Sequence, residues 1–306
     1  MKALLPVAAL VVVGVSALGF WLAYSASHPP THAYLVRPEQ FQFSQRALKA
    51  TEETWPNSDG TKARGWLLRG AEGAPAVVLL HGYGGDRSWL FNLGVKINEA
   101  TNFTVLCPDI RGHGQNPTVS TTTFGAREAD DLSSAVGFLR SLKSQQGRPL
   151  AGPAFGVYGV GLGAYAALTA APRDPAIKSL ALDSVPADSD QVLRDALRDH
   201  VGLGGAFFFQ VGRLYEKLYT LAAYHSAPAC DLAAALADRR VLLLSGPDAA
   251  DLRESTAQLA RCFPAAASVE AKTDLPLTGL QASSATGEAG EAYDRLIIDF
   301  FQRSLR

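Results

Sequence analysis

Short apolar runs recur along this chain and alternate with longer stretches of helical periodicity. The runs lie at residues 76–80, 103–106, 155–160, 179–182 and 241–244. Runs this short and this uniformly apolar are typical of strands buried on both faces, which occur mainly in parallel sheets covered by helices. The pattern therefore predicts an α/β fold around a mostly parallel sheet.

Patterns of another kind precede and follow this repeat. Residues 46–55 and 63–69 alternate between apolar and polar side chains, and a turn-forming segment at 57–61 separates them. That combination predicts a β-hairpin, so the sheet should begin with an antiparallel pair. We expect a final strand near 268–271 and a final amphipathic helix over 288–301.

One connection is too long for a simple crossover between strands. Residues 186–240 separate two of the predicted strands, and large apolar residues recur there at helical spacing. They are Phe207, Phe208, Phe209, Leu214, Tyr215, Leu218 and Leu221. We therefore predict a helical cap inserted at the carboxyl edge of the sheet. Its apolar side chains either pack the cap onto the domain, which we favour, or line a substrate channel, or touch a bilayer or a partner.

The amino terminus carries a long apolar segment. Residues 3–24 contain no charged side chain, and a helix of that length, at about 1.5 Å per residue, crosses a hydrocarbon layer roughly 30 Å thick. A secretory signal peptide is the alternative, because Lys2 is basic and residues 25–27 are small enough for cleavage. The apolar core of a signal peptide is usually only about 7 to 15 residues long, so the length favours an uncleaved anchor.

These boundaries predict the domain organisation. Residues 1–24 form the transmembrane anchor, residues 25–43 form a proline-containing tether, and residues 44–306 form one globular domain. Lys2 is expected to stay on the cytoplasmic side, which puts the globular domain of this single-pass protein on the extracytoplasmic (periplasmic) side. The abundance of Ala, Leu and Gly is typical of a bacterial source.

The charge balance excludes one large class of function. With 28 Lys and Arg against 29 Asp and Glu, the net charge is -1, so no surplus of positive charge is present to neutralise the phosphates of a nucleic acid. The hydrophobic fraction of 47% excludes a disordered chain. We therefore expect a folded protein that does not bind nucleic acid.

The three cysteines, Cys107, Cys230 and Cys262, form no CxxC pair and no Cys/His cluster. Neither a zinc site nor a disulfide framework is predicted. A bridge between Cys230 and Cys262 is open to a protein outside the cytoplasm, but their spacing gives it no support, and we assign no chemistry to any of the three. We expect neither a metal nor a cofactor.

Three glycine-containing motifs follow three successive predicted strands. They read His81-Gly82-Tyr83-Gly84-Gly85, Asp109-Ile110-Arg111-Gly112-His113-Gly114 and Gly159-Val160-Gly161-Leu162-Gly163. In this order the motifs resemble the α/β-hydrolase family, and residues 123–132 resemble the helix before the nucleophile in its membrane-associated bacterial members. The resemblance covers roughly residue 46 to the carboxyl terminus and implies an α/β-hydrolase fold.

The third motif decides whether such a protein can catalyse. The resemblance implies a nucleophile elbow here, with a reactive residue between two glycines. The flanking glycines, Gly159 and Gly163, are present, but the central residue is Gly161. Glycine has no group that can attack a carbonyl carbon. The elbow turn is therefore expected to persist without its chemistry.

The acid and the base that the resemblance implies are also degenerate. The acid is expected three residues after Gly246, where this chain has Ala249, with Asp248 and Asp251 nearby. The base should follow the last strand, but the chain has no histidine after His225. Without a nucleophile and a base the usual proton relay cannot operate, and we expect no catalytic residue.

The resemblance also assigns a role to the first motif. His81, Gly82, Tyr83 and Gly84, together with Leu162 after the elbow, would form a vestigial oxyanion site. In an active relative the backbone N–H groups of such a site stabilise a developing oxyanion. Here we expect the cleft without the reaction.

Three residues of the second motif are expected to orient loops. Asp109, Arg111 and His113 have no apparent nucleophile beside them, so hydrogen bonding within the loop is the simpler role. Ser184, beside Asp183 at a strand end, is interpreted as a helix or turn cap rather than as a relocated nucleophile.

A dinucleotide site is a competing interpretation of the same glycines. Gly159, Gly161 and Ala164 fit the dinucleotide fingerprint, and Asp183 ends the next strand, where an acid would bind a ribose. That fingerprint normally follows the first strand of its unit, whereas here it follows the fifth predicted strand. We favour an elbow that has lost its reactive residue.

Three functions remain open. The favoured one is a membrane-anchored, catalytically inactive hydrolase-like protein that serves as an accessory or scaffold subunit and has membrane proteins as partners. The second is an active esterase, lipase or peptidase with relocated catalytic residues. The third is the binding of a small anionic or lipid ligand in the former active-site cleft, because a helix amino terminus can hold an anion.

Overall fold

The sheet has the expected architecture. The computed structural model describes residues 4–38, 50–199, 201–281 and 287–306, with side chains from Pro6 onward. The strands are β1 (Ala50–Pro56), β2 (Lys62–Leu68), β3 (Ala74–Leu80), β4 (Thr104–Pro108), β5 (Ala151–Val160), β6 (Ile177–Asp183), β7 (Arg240–Leu244) and β8 (Ser268–Lys272). They form one eight-stranded sheet in the order β1-β2-β4-β3-β5-β6-β7-β8.

The strand directions confirm the predicted fold class. β2 is antiparallel to both β1 and β4, and the other neighbouring pairs are parallel. The antiparallel start and the mostly parallel remainder are therefore as expected. The first residues of the predicted hairpin, 46–49, lie outside the described part of the chain.

Helices cover both faces of the sheet. They are α1 (Leu4–Ser27), α2 (Ser88–Thr101), α3 (Ala126–Ser141), α4 (Leu162–Ala170), α5 (Ser189–Asp199), α6 (Ala206–Tyr219), α7 (Ala229–Ala234), α8 (Ala250–Leu259) and α9 (Glu288–Ser304). Successive side chains of a strand point to opposite faces, so Val78 packs with the α3 and α4 side chains and Val77 with those of α2 and α9. Helices α5, α6 and α7 lie between β6 and β7 and form the predicted cap.

Helix α1 is longer than the expected anchor and is part of the domain. It continues through Ser27, so the first residues of the expected tether are helical. Further on, the Tyr34 hydroxyl donates to Asp109 over 2.7 Å, and the Leu35 N–H donates to the Ser88 hydroxyl over 2.9 Å. The described part of the expected tether therefore lies against the domain, because its polar groups find partners there. Residues 39–43 are outside the described chain.

The second half of α1 packs along cap helix α6. A Cβ atom on Gly19 would lie 2.5 Å from Cγ of Tyr215, so the two helices approach too closely for any side chain there. The Tyr215 hydroxyl donates to Oγ of Ser16 over 2.8 Å. Ala23 and Ala26 are fully buried on the same side of α1. Small residues with a side-chain hydrogen bond are the usual contact between helices in membranes.

The carboxyl end of α1 makes polar contacts inside the domain. Oγ of Ser27 lies 2.9 and 2.8 Å from the two carboxyl oxygens of Glu216. The carbonyl of Ala26 accepts from the Tyr83 hydroxyl over 2.6 Å, and the carbonyl of Ser27 accepts from the Thr122 N–H over 2.9 Å. Glu216 is fully buried, and this burial raises its pKa from 4.5 to about 8. The carboxyl group is therefore mostly protonated at neutral pH.

A disulfide bond is present where the sequence analysis assigned no chemistry. Cys230 in α7 is bonded to Cys262, which follows α8, and their Cα atoms are 5.1 Å apart. The bridge that the sequence left open, without support from spacing, is therefore formed. The fold brings together two cysteines that are 32 residues apart, and spacing along the chain does not reveal such a contact. Cys107 is a buried free thiol.

The burial of Glu216 predicts a pH-dependent stability. The folded carboxyl has a pKa of about 8 and the unfolded one about 4.5, so the folded state binds more protons between these values. Stability should therefore fall as the pH rises from about 5 to about 8. Glu216→Gln keeps a partner for Ser27 without titrating, so its melting temperature in mild detergent should fall less over this range. Glu254→Gln, on an exposed side chain, is the matched control and should behave like the wild type.

Candidate functional site

The elbow turn lies between β5 and α4. Gly161 adopts φ 52° and ψ -113°, in the left-handed half of the backbone map, and the helix begins at the next residue. Its N–H donates to the Asp183 carbonyl over 2.9 Å, and its own carbonyl accepts from the Tyr165 N–H over 3.0 Å. Such a turn exposes the central residue at the carboxyl edge of the sheet.

The three glycines of this turn have different steric roles. A Cβ atom on Gly159 would lie 2.5 Å from the carbonyl oxygen of Gly163, and one on Gly163 would lie 2.6 Å from the carbonyl oxygen of His81. A Cβ atom on Gly161 would meet just one atom within 4 Å, Cδ2 of Leu280 at 4.0 Å. Packing therefore requires glycine at the two flanking positions and leaves room for a side chain at the central one.

His81 is held in the loop after β3 by both of its ring nitrogens. The Ile110 N–H donates to Nε2 over 3.0 Å, and Nδ1 lies 2.8 Å from the carbonyl oxygen of Gly82. This arrangement requires the neutral tautomer with the proton on Nδ1. Burial lowers the pKa of His81 to about 4, so the ring stays neutral at physiological pH. His81 therefore links the loops after β3 and β4.

Asp109 and Arg111, in the loop after β4, are both paired. Asp109 accepts from the Arg64 guanidinium over 3.1 Å as well as from Tyr34, and Arg111 donates to Asp131 over 2.8 and 2.7 Å. These contacts orient the loop, which is the role expected for both residues.

His113 is buried in the same loop. Its Nδ1 lies 2.8 Å from the Arg111 carbonyl, and burial lowers its pKa to about 3. The hydrogen bonds of His81 and His113 fix the shape of the loops after β3 and β4.

A cavity of about 430 Å³ opens beside the elbow, between the sheet edge and the cap. It brings together several of the residues expected from the sequence. These are Tyr83, Gly161, Leu162, Asp248, Ala249 and Asp251. Cap helix α5 adds Asp195, Arg198 and Asp199. Burial raises the pKa of Asp195 to about 6. Carboxylates outnumber guanidinium groups in this lining.

Leu280 faces the elbow from the segment in which the sequence analysis expects the base. It lies between β8 and α9, and its Cδ2 is 4.0 Å from the Cβ positions of both Gly161 and Gly82. The sequence analysis missed Leu280, because nothing marks an apolar residue in a long loop as part of a site. The one available signal was its place between the last strand and the last helix.

Asp248, rather than Ala249, faces the loop that carries Leu280. Its carboxylate accepts a hydrogen bond from the Thr278 hydroxyl, two residues before Leu280. Asp248 is therefore connected to the segment between β8 and α9, where the base is expected. Ala249, at the expected acid position, ends a short 3-10 turn over Pro247–Ala249 and also lines the cavity.

Asp183 is buried and does not face the cavity. It accepts from the Gly279 N–H over 2.9 Å, from the Ser184 hydroxyl over 2.7 Å and from the Tyr293 hydroxyl. Burial raises its pKa to about 6. The dinucleotide interpretation needs this carboxylate to be open to a ribose, and here its oxygens are used inside the protein. Asp183 instead fixes the loop that carries Leu280.

Ser184 does not have the role expected from the sequence. Its hydroxyl donates to Asp183 and does not cap a helix or turn. The side chain is fully buried, so it is not placed as a relocated nucleophile. Within the described residues, no group of three or more His, Cys, Asp or Glu is placed to hold a metal ion.

The geometry of the elbow and the sheet order agree with comparisons to known proteins. A sequence profile described as "Alpha/beta hydrolase family" matches residues 77–306. The chain belongs to this family. No relative with a curated description matches the sequence.

Solved structures of hydrolases share the fold at low sequence identity. An esterase from Pyrococcus furiosus is 17% identical over 92% of this chain and 98% of its own, with a TM-score of 0.66. DcsB, solved with a substrate analogue, is 14% identical over 84% and 99%, with a TM-score of 0.64. A dienelactone hydrolase from Anabaena variabilis is 15% identical over 84% and 99%, with a TM-score of 0.54. These likenesses concern the fold alone.

The steric difference among the glycines predicts different costs of substitution. Gly161→Ala should lose about 1 to 3 kcal/mol of stability, because its φ is unfavourable for a side chain although the space is open. Gly159→Ala and Gly163→Ala should cost more, because each new methyl group would overlap backbone atoms. Thermal unfolding of the three variants in mild detergent shows which substitution lowers the stability most. Equal losses at the three positions would contradict the assignment.

Proposed function

We propose that this protein is a membrane-anchored, non-catalytic member of the alpha/beta hydrolase family that acts as an accessory or scaffold subunit of a membrane assembly. The observation that carries the proposal is the pair formed by Gly161 and Leu280. The turn at Gly161 has a positive φ and leaves room for a side chain, as a nucleophile elbow requires. The residue at the nucleophile position is nevertheless glycine, and the side chain of Leu280 faces it. Neither residue can transfer a proton or attack a carbonyl carbon.

The lining of the cavity argues against a relocated mechanism. Among the described residues that line it, none is Ser, Thr, Cys, Lys or His. Tyr83 is the one hydroxyl in the lining, and its oxygen donates to the Ala26 carbonyl. An esterase, lipase or peptidase of the serine, threonine or cysteine type would need a hydroxyl or thiol nucleophile activated by a base at this cavity, and the lining offers no free hydroxyl or thiol.

The contacts of α1 support a retained anchor over a cleaved signal peptide. The part of α1 from Pro6 to Ser27 is long and apolar enough to cross a membrane. Cleavage at residues 25–27 would separate this helix from the domain and would remove partners of Glu216, Tyr83 and Thr122. A buried carboxyl group without its partner costs stability. Anchoring therefore fits the packing of the domain.

Two observations favour the extracytoplasmic side for the domain. Lys2 precedes the span, and basic residues tend to remain cytoplasmic. The Cys230–Cys262 disulfide belongs to an oxidising compartment such as the bacterial periplasm.

Ligand binding in the cavity is a second candidate function, because about 430 Å³ is enough space for a small molecule. Asp195, Asp199, Asp248 and Asp251 line the cavity against the single guanidinium of Arg198. This balance repels anions, so the small anionic ligand expected from the sequence is disfavoured. A neutral or cationic ligand fits the charges better.

Labelling with a fluorophosphonate tests the loss of catalysis. We expect the full-length protein not to react, because position 161 has no hydroxyl. The variant Gly161→Ser/Leu280→His puts a hydroxyl and an imidazole at the two positions beside Asp248, and it should be labelled faster than Gly161→Ser alone. Labelling of the wild type that disappears when one serine elsewhere is replaced would overturn the proposal.

Purification from membranes tests the accessory role. The tagged full-length protein, extracted in mild detergent, should retain a reproducible set of membrane proteins that mass spectrometry identifies. Glu216→Gln, which preserves the α1 contact, is the matched control and should retain the same set. Recovery of the bare protein under these conditions would contradict an assembly role.

A further inference from the structure

Cap helix α6 has an apolar stripe that is exposed among the residues that the structure describes. On a helix with about 3.6 residues per turn, positions 207, 211, 214 and 218 follow one line. Phe207, Leu214 and Leu218 are 58%, 58% and 55% exposed, and Leu221, just after the helix, is 90% exposed. Val211 is half-buried on the same line. Val211 packs against the core and Phe207 touches Phe208, but the outer surface of the stripe is open to solvent in the described part of the chain.

The stripe lies directly beside the face of α6 that contacts α1. Tyr215 and Tyr219, one step around the helix, touch Phe20 and Tyr24 of α1. The outer face of α1 is also apolar and exposed, with Leu10 at 72% and Val13 at 65%. Phe20, which touches Tyr215, is itself 48% exposed, so the exposed apolar residues of α1 reach the edge of the stripe.

The free part of α1 is too short to cross a bilayer by itself. Residues Pro6–Gly14 are exposed, and contacts with α6 begin at Ser16. From Leu4 to Gly14 the helix rises about 16 Å, whereas the hydrocarbon layer is roughly 30 Å thick. If α1 spans the membrane, the segment that contacts α6 must also lie within the hydrocarbon layer. Helix α6 is then carried into the outer half of the bilayer.

We propose that the apolar stripe of α6 is embedded in the lipid bilayer beside α1, so that the cap and the anchor together form the membrane-binding surface. The inference rests on the proposed anchoring of the protein and adds the lipid acyl chains as the partner of the cap. A bilayer, rather than a protein partner, is the occupant because the geometry of α1 places the stripe at the depth of the acyl chains.

The polar and aromatic residues at the edges of this surface are consistent with a stripe at the depth of the acyl chains. Lys217 and Gln210 are exposed on the flank of α6 away from α1. Basic side chains on the polar flank of an amphipathic helix are typical of helices that lie in a membrane interface. Trp21 and Tyr24 are exposed near the end of the span, where aromatic residues commonly meet the headgroups.

Quenching by acyl-brominated phosphatidylcholine tests the proposal on the full-length protein in vesicles. A nitrobenzoxadiazole label is attached to one introduced cysteine at a time, in Val12→Cys, Leu218→Cys, Lys217→Cys and Gln146→Cys. The native cysteines do not compete, because Cys107 is buried and the other two form the disulfide. Gln146 is exposed in the loop before β5, at the opposite edge of the sheet from the elbow.

The expected result separates the inference from the proposed anchoring. The labels at positions 12 and 218 should be quenched to a similar extent, and those at 217 and 146 much less. Quenching at 12 without quenching at 218 would overturn the inference and leave the anchor in place. A blue-shifted but unquenched label at 218 would also overturn it, because a protein would then cover the stripe. No quenching at 12 would remove the anchor and the inference with it.

Discussion

The close approach of helix α4 to the strands beneath it sets the geometry of this molecule. Gly159 and Gly163 have no side chains, and this lets the helix begin against the backbone of its own strand and of the loop after β3. The same contact forces a tight turn at Gly161 and places it at the carboxyl edge of the sheet. The cavity, the loop that carries Leu280 and the cap are arranged around that turn.

Because this contact depends on the two flanking glycines, the packing sets no requirement on the side chain between them. A glycine at the central position relieves the backbone strain that a side chain would impose there. Replacement of the nucleophile is thus compatible with the fold, and on our proposal the lost nucleophile was accompanied by a lost base. Asp248 still faces the loop of the base through Thr278, although Leu280 now occupies the space above the elbow.

Helix α1 and cap helix α6 form a second region of close packing. Ser16 and Gly19 allow α1 to pack closely on Tyr215, and the end of α1 reaches Glu216 and Tyr83 inside the domain. Tyr83 also lines the cavity beside the elbow. The amino-terminal helix is therefore connected through Tyr83 to the cavity beside the elbow, and removal of the helix would expose Glu216 and free Tyr83.

The amino-acid sequence by itself determined the sheet and the elbow. Uniformly apolar runs fix which segments become buried strands, and the spacing of Gly159, Gly161 and Gly163 is local enough to predict the turn. Tertiary structure decided what depends on distant segments meeting in space. The pairing of Cys230 with Cys262, the burial of Glu216 against Ser27, the enclosed Asp183 and the position of Leu280 over the elbow all join residues from separate elements. Periodicity and motifs report local conformation, whereas these contacts arise only when the folded elements are packed together.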